Sequence, residues 1–328
     1  MHFTSELNLW QKIMYYLFFG ILYTFSLLPL KVLYIFSDGL YFLIYYVVGY
    51  RKKVVKKNLR ESFPEKSEAE LLAIEKKFYH FFCDYIYETV KLTSMSREEM
   101  KRRVKYTGME HVIKYLEEGH NVTLYIAHYC NWEWITSIGL YSPAQVSQVY
   151  HILNSKVFNS IILYIRSKMG TVSISMQVIL RRIVQERRNG NQMVIGFLSD
   201  QVPLPQSTHH YTTFLNHKGT TVITGTEKIA KQCDFGCVYI DMTRPRRGYY
   251  NIDIIPMGAD TKDIPDFELT NRYFSILENA INRAPEFWLW SHNRWKRTMD
   301  DFGKWVEKDH NASADQVELA EKWKNEKN

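Results

Sequence analysis

Cysteine is scarce in this chain: four among 328 residues. That is too few for the disulfide framework of a small secreted scaffold, so nothing requires an oxidising compartment. Proline and glycine are also modest, at 9 and 15, and neither collagen-like repeats nor a low-complexity linker is present. The mean hydropathy of −0.30 excludes a polytopic membrane protein. No pair of histidines has the H-E-x-x-H spacing of a helical zinc site, and no metal is expected. With 46% apolar and 23% charged residues, the chain is not disordered and can bury a sizeable core.

What is abundant is aromatic. Of the 49 Phe, Trp and Tyr residues, 15 fall within the first 50 positions. Ile13–Leu30 is an uncharged run of 18 residues, IMYYLFFGILYTFSLLPL. As a helix it is expected to span a bilayer, about 27 Å at 1.5 Å per residue. A cleaved signal peptide fits poorly, because no A-x-A-like site follows; a buried core helix is the remaining alternative. Val32–Tyr50 is broken by Asp38 and Gly39 and is expected to lie at the interface or return to the body. The cluster RKKVVKKNLR (51–60) then adds six cations, which favours the cytoplasmic side and anionic headgroups. Residues 1–60 carry eight Lys/Arg against Glu6 and Asp38, whereas the rest of the chain is almost neutral. A nucleic-acid binder would need its basic stripe on the folded body, so nucleic acid is not an expected partner.

The body reads as helices first: 67–93, with Ser67 and Glu70 at capping-box spacing, then one or two more over 96–120. Strands are expected at 121–127, 146–152, 193–198, 236–241 and 249–255. They alternate with helices beginning near 131, then at 155–169, 176–188, 222–232 and 269–283. That alternation predicts an α/β fold, a mostly parallel central sheet flanked by helices. The expected division is 1–50 as anchor, 51–300 as α/β domain and 301–328 as a polar tail. Cys233 and Cys237 read as small apolar residues on one helix. His209, His210 and His217 read as polar residues of a Pro-rich loop, and Arg181, Arg182, Arg187 and Arg188 as a solvated helix face.

In such sheets chemistry collects at the carboxyl ends of strands. Two predicted ends carry polar groups: His128 after VTLYIA, and Ser199-Asp200-Gln201 after MVIGFL. His128 and Glu133 are five apart, too far round one helix to share a face. If the chain bends between them, Glu133 can orient the imidazole and leave its other nitrogen as a general base. No protein nucleophile accompanies the pair, which leaves a substrate hydroxyl as the attacking group.

The string A-H-Y-C-N-W-E-W (127–134) resembles the first signature block of the late lauroyl/myristoyl acyltransferases of lipid A biosynthesis. Arg166 in YIRSKMG, L-S-D-Q (198–201), FLNHKGTTVITGTEKIAK (214–231) and PEFWLWSHNRWK (285–296) resemble its later blocks in order. KNLRESFPEKSEAE (57–70) resembles the junction after the membrane helix.

This resemblance implies a glycerolipid-acyltransferase-like fold, a single N-terminal span in a bacterial inner membrane, and a catalytic domain on the cytoplasmic face. It implies an acyl-carrier-protein thioester as donor, a glycolipid hydroxyl as acceptor, and no cofactor. It gives His128 and Glu133 the catalytic roles. Arg166, Asp200, Asn131 and Gln201 become acceptor-binding or oxyanion-binding residues, with Arg166 on an acceptor phosphate. Family members carry a glycine or other small residue where Cys130 stands, and direct transfer is expected rather than an acyl-enzyme. Other readings are an acyltransferase for another envelope lipid and a non-catalytic, membrane-tethered lipid-binding protein.

Overall fold

Nine strands and a set of helices account for most of the chain in the computed structural model, which describes residues 3–309 and 311–327. The strands are β1 Val104–Thr107, β2 Asn121–Ile126, β3 Gln145–Tyr150, β4 Val172–Ser175, β5 Met193–Leu198, β6 Thr208–Phe214, β7 His217–Ile223, β8 Phe235–Arg246 and β9 Tyr249–Gly258. Seven form one sheet in the order β1-β9-β8-β2-β5-β3-β4, and β6 and β7 form a separate hairpin. Only the β8–β9 pairing in the large sheet is antiparallel. The mostly parallel α/β architecture read from the sequence is therefore present. β2 and β5 are central, neighbouring and buried on both faces, which explains their uninterrupted apolar runs.

Some expectations need correction. β1 lies inside the stretch 96–120 that reads as helical. Gly108 ends it with φ +78°, and a Cβ there would overlap the Ile254 carbonyl of β9. β4 is unannounced in the sequence. The polar segment at 208–223 is not a loop but the β6–β7 hairpin. There His209 meets Asp315, His210 stacks on Phe267, and His217 stacks on Trp295. Cys233 closes the helix Gly225–Cys233 whereas Cys237 lies in β8, so they do not share a helix.

The N-terminal run does not form one helix over 13–30. A helix spans Leu9–Ser26, the chain turns at 27–29, and Pro29 caps the next helix, Leu30–Phe42, which runs on through Leu43–Val48. Proline has no N–H to continue the first helix but suits the start of the second. Leu30–Val48 is the described helix that is long and apolar enough to cross a membrane. Its inner face is tied to the body by polar bonds: Tyr34 OH donates to Glu88 (2.7 Å), Ser37 Oγ to Asp84 (2.7 Å), and Arg247 bridges Asp38 and Asp84. Its outer face leaves Ile35, Phe42, Val47 and Val48 exposed, and Leu9–Ser26 does the same with Trp10, Ile13, Tyr16 and Ile21.

Glu68–Leu92 begins with the expected capping box, Glu70 N–H to Ser67 Oγ and Ser67 N–H to Glu70 Oε2. It supplies the buried acids that receive the N-terminal helices. The tail beyond 298 folds as two helices, Met299–Lys308 and Ala314–Lys327, against each other and the hairpin.

Candidate active site

β2 and β5 run parallel with Ile126 opposite Leu198. Whatever follows each strand therefore emerges at the same edge. His128 follows β2 and Asp200 follows β5, and their side chains meet. His128 Nδ1 lies 2.7 Å from Asp200 Oδ1, while the His128 backbone N–H donates to Asp200 Oδ2 at 3.0 Å. The indole N–H of Trp288 donates to the same Oδ2 at 2.9 Å.

Asp200 is buried. Burial alone would raise its pKa, but the His128 charge and these donated bonds outweigh it and hold the carboxyl below the ordinary aspartate range. An ionised Asp200 fixes the proton on Nδ1 and leaves Nε2 as the basic nitrogen. Nε2 faces the Gln201 side chain at 3.2 Å, and the imidazole edge packs on Trp132, with ring centres 5.1 Å apart.

The carboxylate that orients His128 is thus Asp200 and not Glu133. Glu133 is buried in the first turn of the 3₁₀ segment Trp132–Leu140 and is committed elsewhere. Arg166 Nε and Nη2 donate to its two oxygens at 2.8 and 2.6 Å, a bidentate fork. Tyr85 OH adds a longer contact at 3.5 Å. Burial opposes the Arg166 charge, but Glu133 more than compensates and keeps its pKa above the usual value. Spacing of five does bend the chain as expected, yet it turns Glu133 towards the helix Lys156–Ser167 rather than towards the ring.

The turn between them is built by residues with other duties. Cys130 adopts a left-handed conformation, φ +50°, in a fully buried position. Its burial pushes the thiol pKa well up, so it holds a proton and is no nucleophile. Asn131 is also fully buried: its Oδ1 accepts from the Trp134 N–H (3.2 Å) and its Nδ2 donates to Glu88 (2.6 Å). Asn131 therefore shapes the turn and does not face a ligand. Glu88 in turn accepts from Tyr34 and Tyr250. The C-terminal segment closes the other side: Cys130 N–H donates to Phe287 O (2.9 Å) and Leu289 N–H to His128 O (3.1 Å).

Trp288 and Glu88 went unrecognised in the sequence. Trp288, with Trp290 and Trp295 in the same block, reads as packing, and Glu88 sits among ordinary charged helical residues. Arg294, next along, is fully buried; Nη2 donates to Thr221 O (2.7 Å), and Nε and Nη1 have no partner among the described residues. Burial lowers its pKa to about 10, with Asp200 opposing that shift.

Beside the Glu133–Arg166 pair lies a narrow cleft, with an enclosed space of about 30 Å³. Its walls are mainly apolar: Leu124 and Ile126 of β2, Val146 and Val149 of β3, Leu198 of β5, and Ile135 and Ile138. Trp132, which packs on the His128 ring, also lines this cleft, and a basic imidazole near an apolar slot can activate a hydroxyl against an acyl group.

A family model described as bacterial lipid A biosynthesis acyltransferase matches residues 1–297. The lipid A biosynthesis lauroyltransferase of Escherichia coli (strain K12) is 23% identical over 280 residues, covering 84% of this chain and 89% of that protein.

Proposed function

Because the chain belongs to the bacterial lipid A biosynthesis acyltransferase family and is an acyltransferase, we propose that it esterifies a hydroxyl of a lipid A precursor from an acyl-carrier-protein thioester, with His128 as general base. The observation that carries this reading is the buried Asp200 carboxylate on His128 Nδ1 at 2.7 Å, with Trp132 packing on that ring and lining an apolar cleft.

The acceptor hydroxyl displaces the Gln201 amide and gives its proton to His128 Nε2 as its oxygen bonds to the thioester carbonyl carbon. Asp200 balances the imidazolium that forms. The carbon–sulfur bond breaks, the thiolate takes the proton back from the ring, and ester and free thiol leave. The N–H groups of Trp132 and Glu133, which precede the Trp134 N–H capped by Asn131, serve the oxyanion. Glu133 keeps Arg166 extended along the cleft, where its remaining N–H faces an acceptor phosphate. The apolar cleft takes the acyl chain. The outward faces of Leu9–Ser26 and Leu30–Val48 seat in the inner membrane, and the exposed cations of 51–60 meet anionic headgroups from the cytoplasmic side.

The test is acyl transfer from labelled acyl-carrier protein to lipid A precursor by purified membranes. His128→Ala and Asp200→Asn should lose about 10²–10⁴ in kcat, the usual worth of base catalysis, while the protein stays folded and its membrane partition is unchanged. Full activity in His128→Ala would end the proposal. Mass spectrometry of lipids from a strain lacking the protein should show a precursor short by one acyl chain.

A further inference from the structure

Residues 151–192 are strongly one-sided in charge. They hold seven cations, Lys156, Arg166, Lys168, Arg181, Arg182, Arg187 and Arg188, against the single carboxylate Glu186. Arg166 is used by Glu133 and Arg182 by Glu186. The other five form no salt bridge among the described residues. Three of them lie on the helix Ile179–Arg188, which buries only Ile179 and Ile183.

Its outward stripe is not purely polar. Leu180 is 51% exposed and Val184 49%. With Arg181 and Arg188 they recur at helical spacing and line a shallow groove together with Gln185. A basic helix with two exposed aliphatic side chains at its centre has the composition of a protein contact rather than of a merely solvated face.

The topology says which way this stripe faces. From β3 the chain moves outward through Lys156–Ser167 to β4. From β4 it returns inward through Ile179–Arg188 to β5. Right-handed crossovers in opposite directions put their helices on opposite faces of a sheet. Lys156–Ser167 packs on the apolar N-terminal helix, with Phe158 against Phe18 and Tyr164 against Phe19. The stripe of Ile179–Arg188 is therefore on the side of the sheet away from the N-terminal helices and their exposed apolar face. It starts at the sheet edge where His128 and Asp200 stand.

We propose that the Leu180–Arg181–Val184–Arg188 stripe is the docking surface for the acidic carrier protein that delivers the donor thioester. This rests on the donor assigned under the proposed function and adds the place where it binds. Cations attract the acidic protein over long range, and the two aliphatic side chains fix its register.

The test compares two donors, the acyl-carrier-protein thioester and the same acyl chain on coenzyme A. It uses the full chain and the variants Arg181→Glu/Arg188→Glu and Leu180→Ser/Val184→Ser. KM for the carrier-protein donor should rise about tenfold or more in the charge-reversal variant, while kinetics with the coenzyme A donor stay unchanged. Arg181→Lys/Arg188→Lys should keep most of the affinity, and raised salt should weaken the wild type towards the reversed variant. Equal loss with both donors, or no loss with either, overturns the docking surface. So does a variant that loses binding to phosphatidylglycerol-containing vesicles but keeps its carrier-protein KM, since the stripe would then be a lipid contact. A wild type that turns over the coenzyme A donor but not the carrier-protein donor sinks the donor assignment itself, and the docking surface with it.

Discussion

At Cys130 a backbone angle explains a side-chain preference. The turn needs φ +50°, a region costly for side chains branched at Cβ and free for glycine. The buried thiol, donating weakly to Met242 O at 3.5 Å, contributes packing alone. Cys130→Gly should retain transfer activity and lie within about 1 kcal/mol of wild-type stability, because relief of strain offsets the lost packing. Cys130→Val should lose more than about 2 kcal/mol from strain and crowding together. Urea denaturation with parallel activity assays checks both. A loss of activity in the glycine variant without unfolding would instead assign the sulfur a chemical role. The same scale shows why the partner of His128 was misjudged: the nearest carboxylate in sequence is five residues away, whereas the one that binds the ring is 72 away.

Elements bring those two residues together. Both strand ends, VTLYIA-His128 and MVIGFL-Ser199-Asp200, were legible because long apolar runs closed by polar residues mark central parallel strands. Adjacency of β2 and β5 was not legible, because strand order is set by packing between helices and sheet rather than by local pattern. β1 and β4 are four residues each, too short for any alternation to show. The β6–β7 hairpin was hidden by its histidines, whose partners come from elsewhere in the chain. The 3₁₀ segment Trp132–Leu140 also walls the cleft, and Ile138 is buried there. Ile138→Phe should shorten the accepted acyl chain by filling the slot while leaving the His128–Asp200 pair intact. Competition between donors of graded chain length, read by mass spectrometry of the product, measures this; an unchanged preference places the chain elsewhere.

For the whole molecule two half-buried imidazoles weaken the fold in acid. Burial lowers both His217 and His292 from an ordinary 6.5 to about 4. Between those values the unfolded chain binds protons that the folded chain refuses, so stability falls as pH drops from about 6.5 towards 4. Asp200 acts in the same direction at the lower end: its depressed pKa gives stability present above the ordinary aspartate pKa and lost as pH falls through its folded value. The melting temperature should decline steadily below pH 6.5, and His217→Gln/His292→Gln should flatten that decline. A wild-type melting curve unchanged from pH 7 to 4.5 would contradict the lowered pKa of these half-buried rings.

The pairing of residues 128–130 with 287–289 has a consequence for synthesis. A chain emerging from the ribosome as far as residue 284 already contains both strands, the imidazole and its carboxylate. It still lacks the indole on Asp200 and the two backbone bonds that hold the turn. The His128–Asp200 pair therefore gains its last supports only when residues 287–289 have been made.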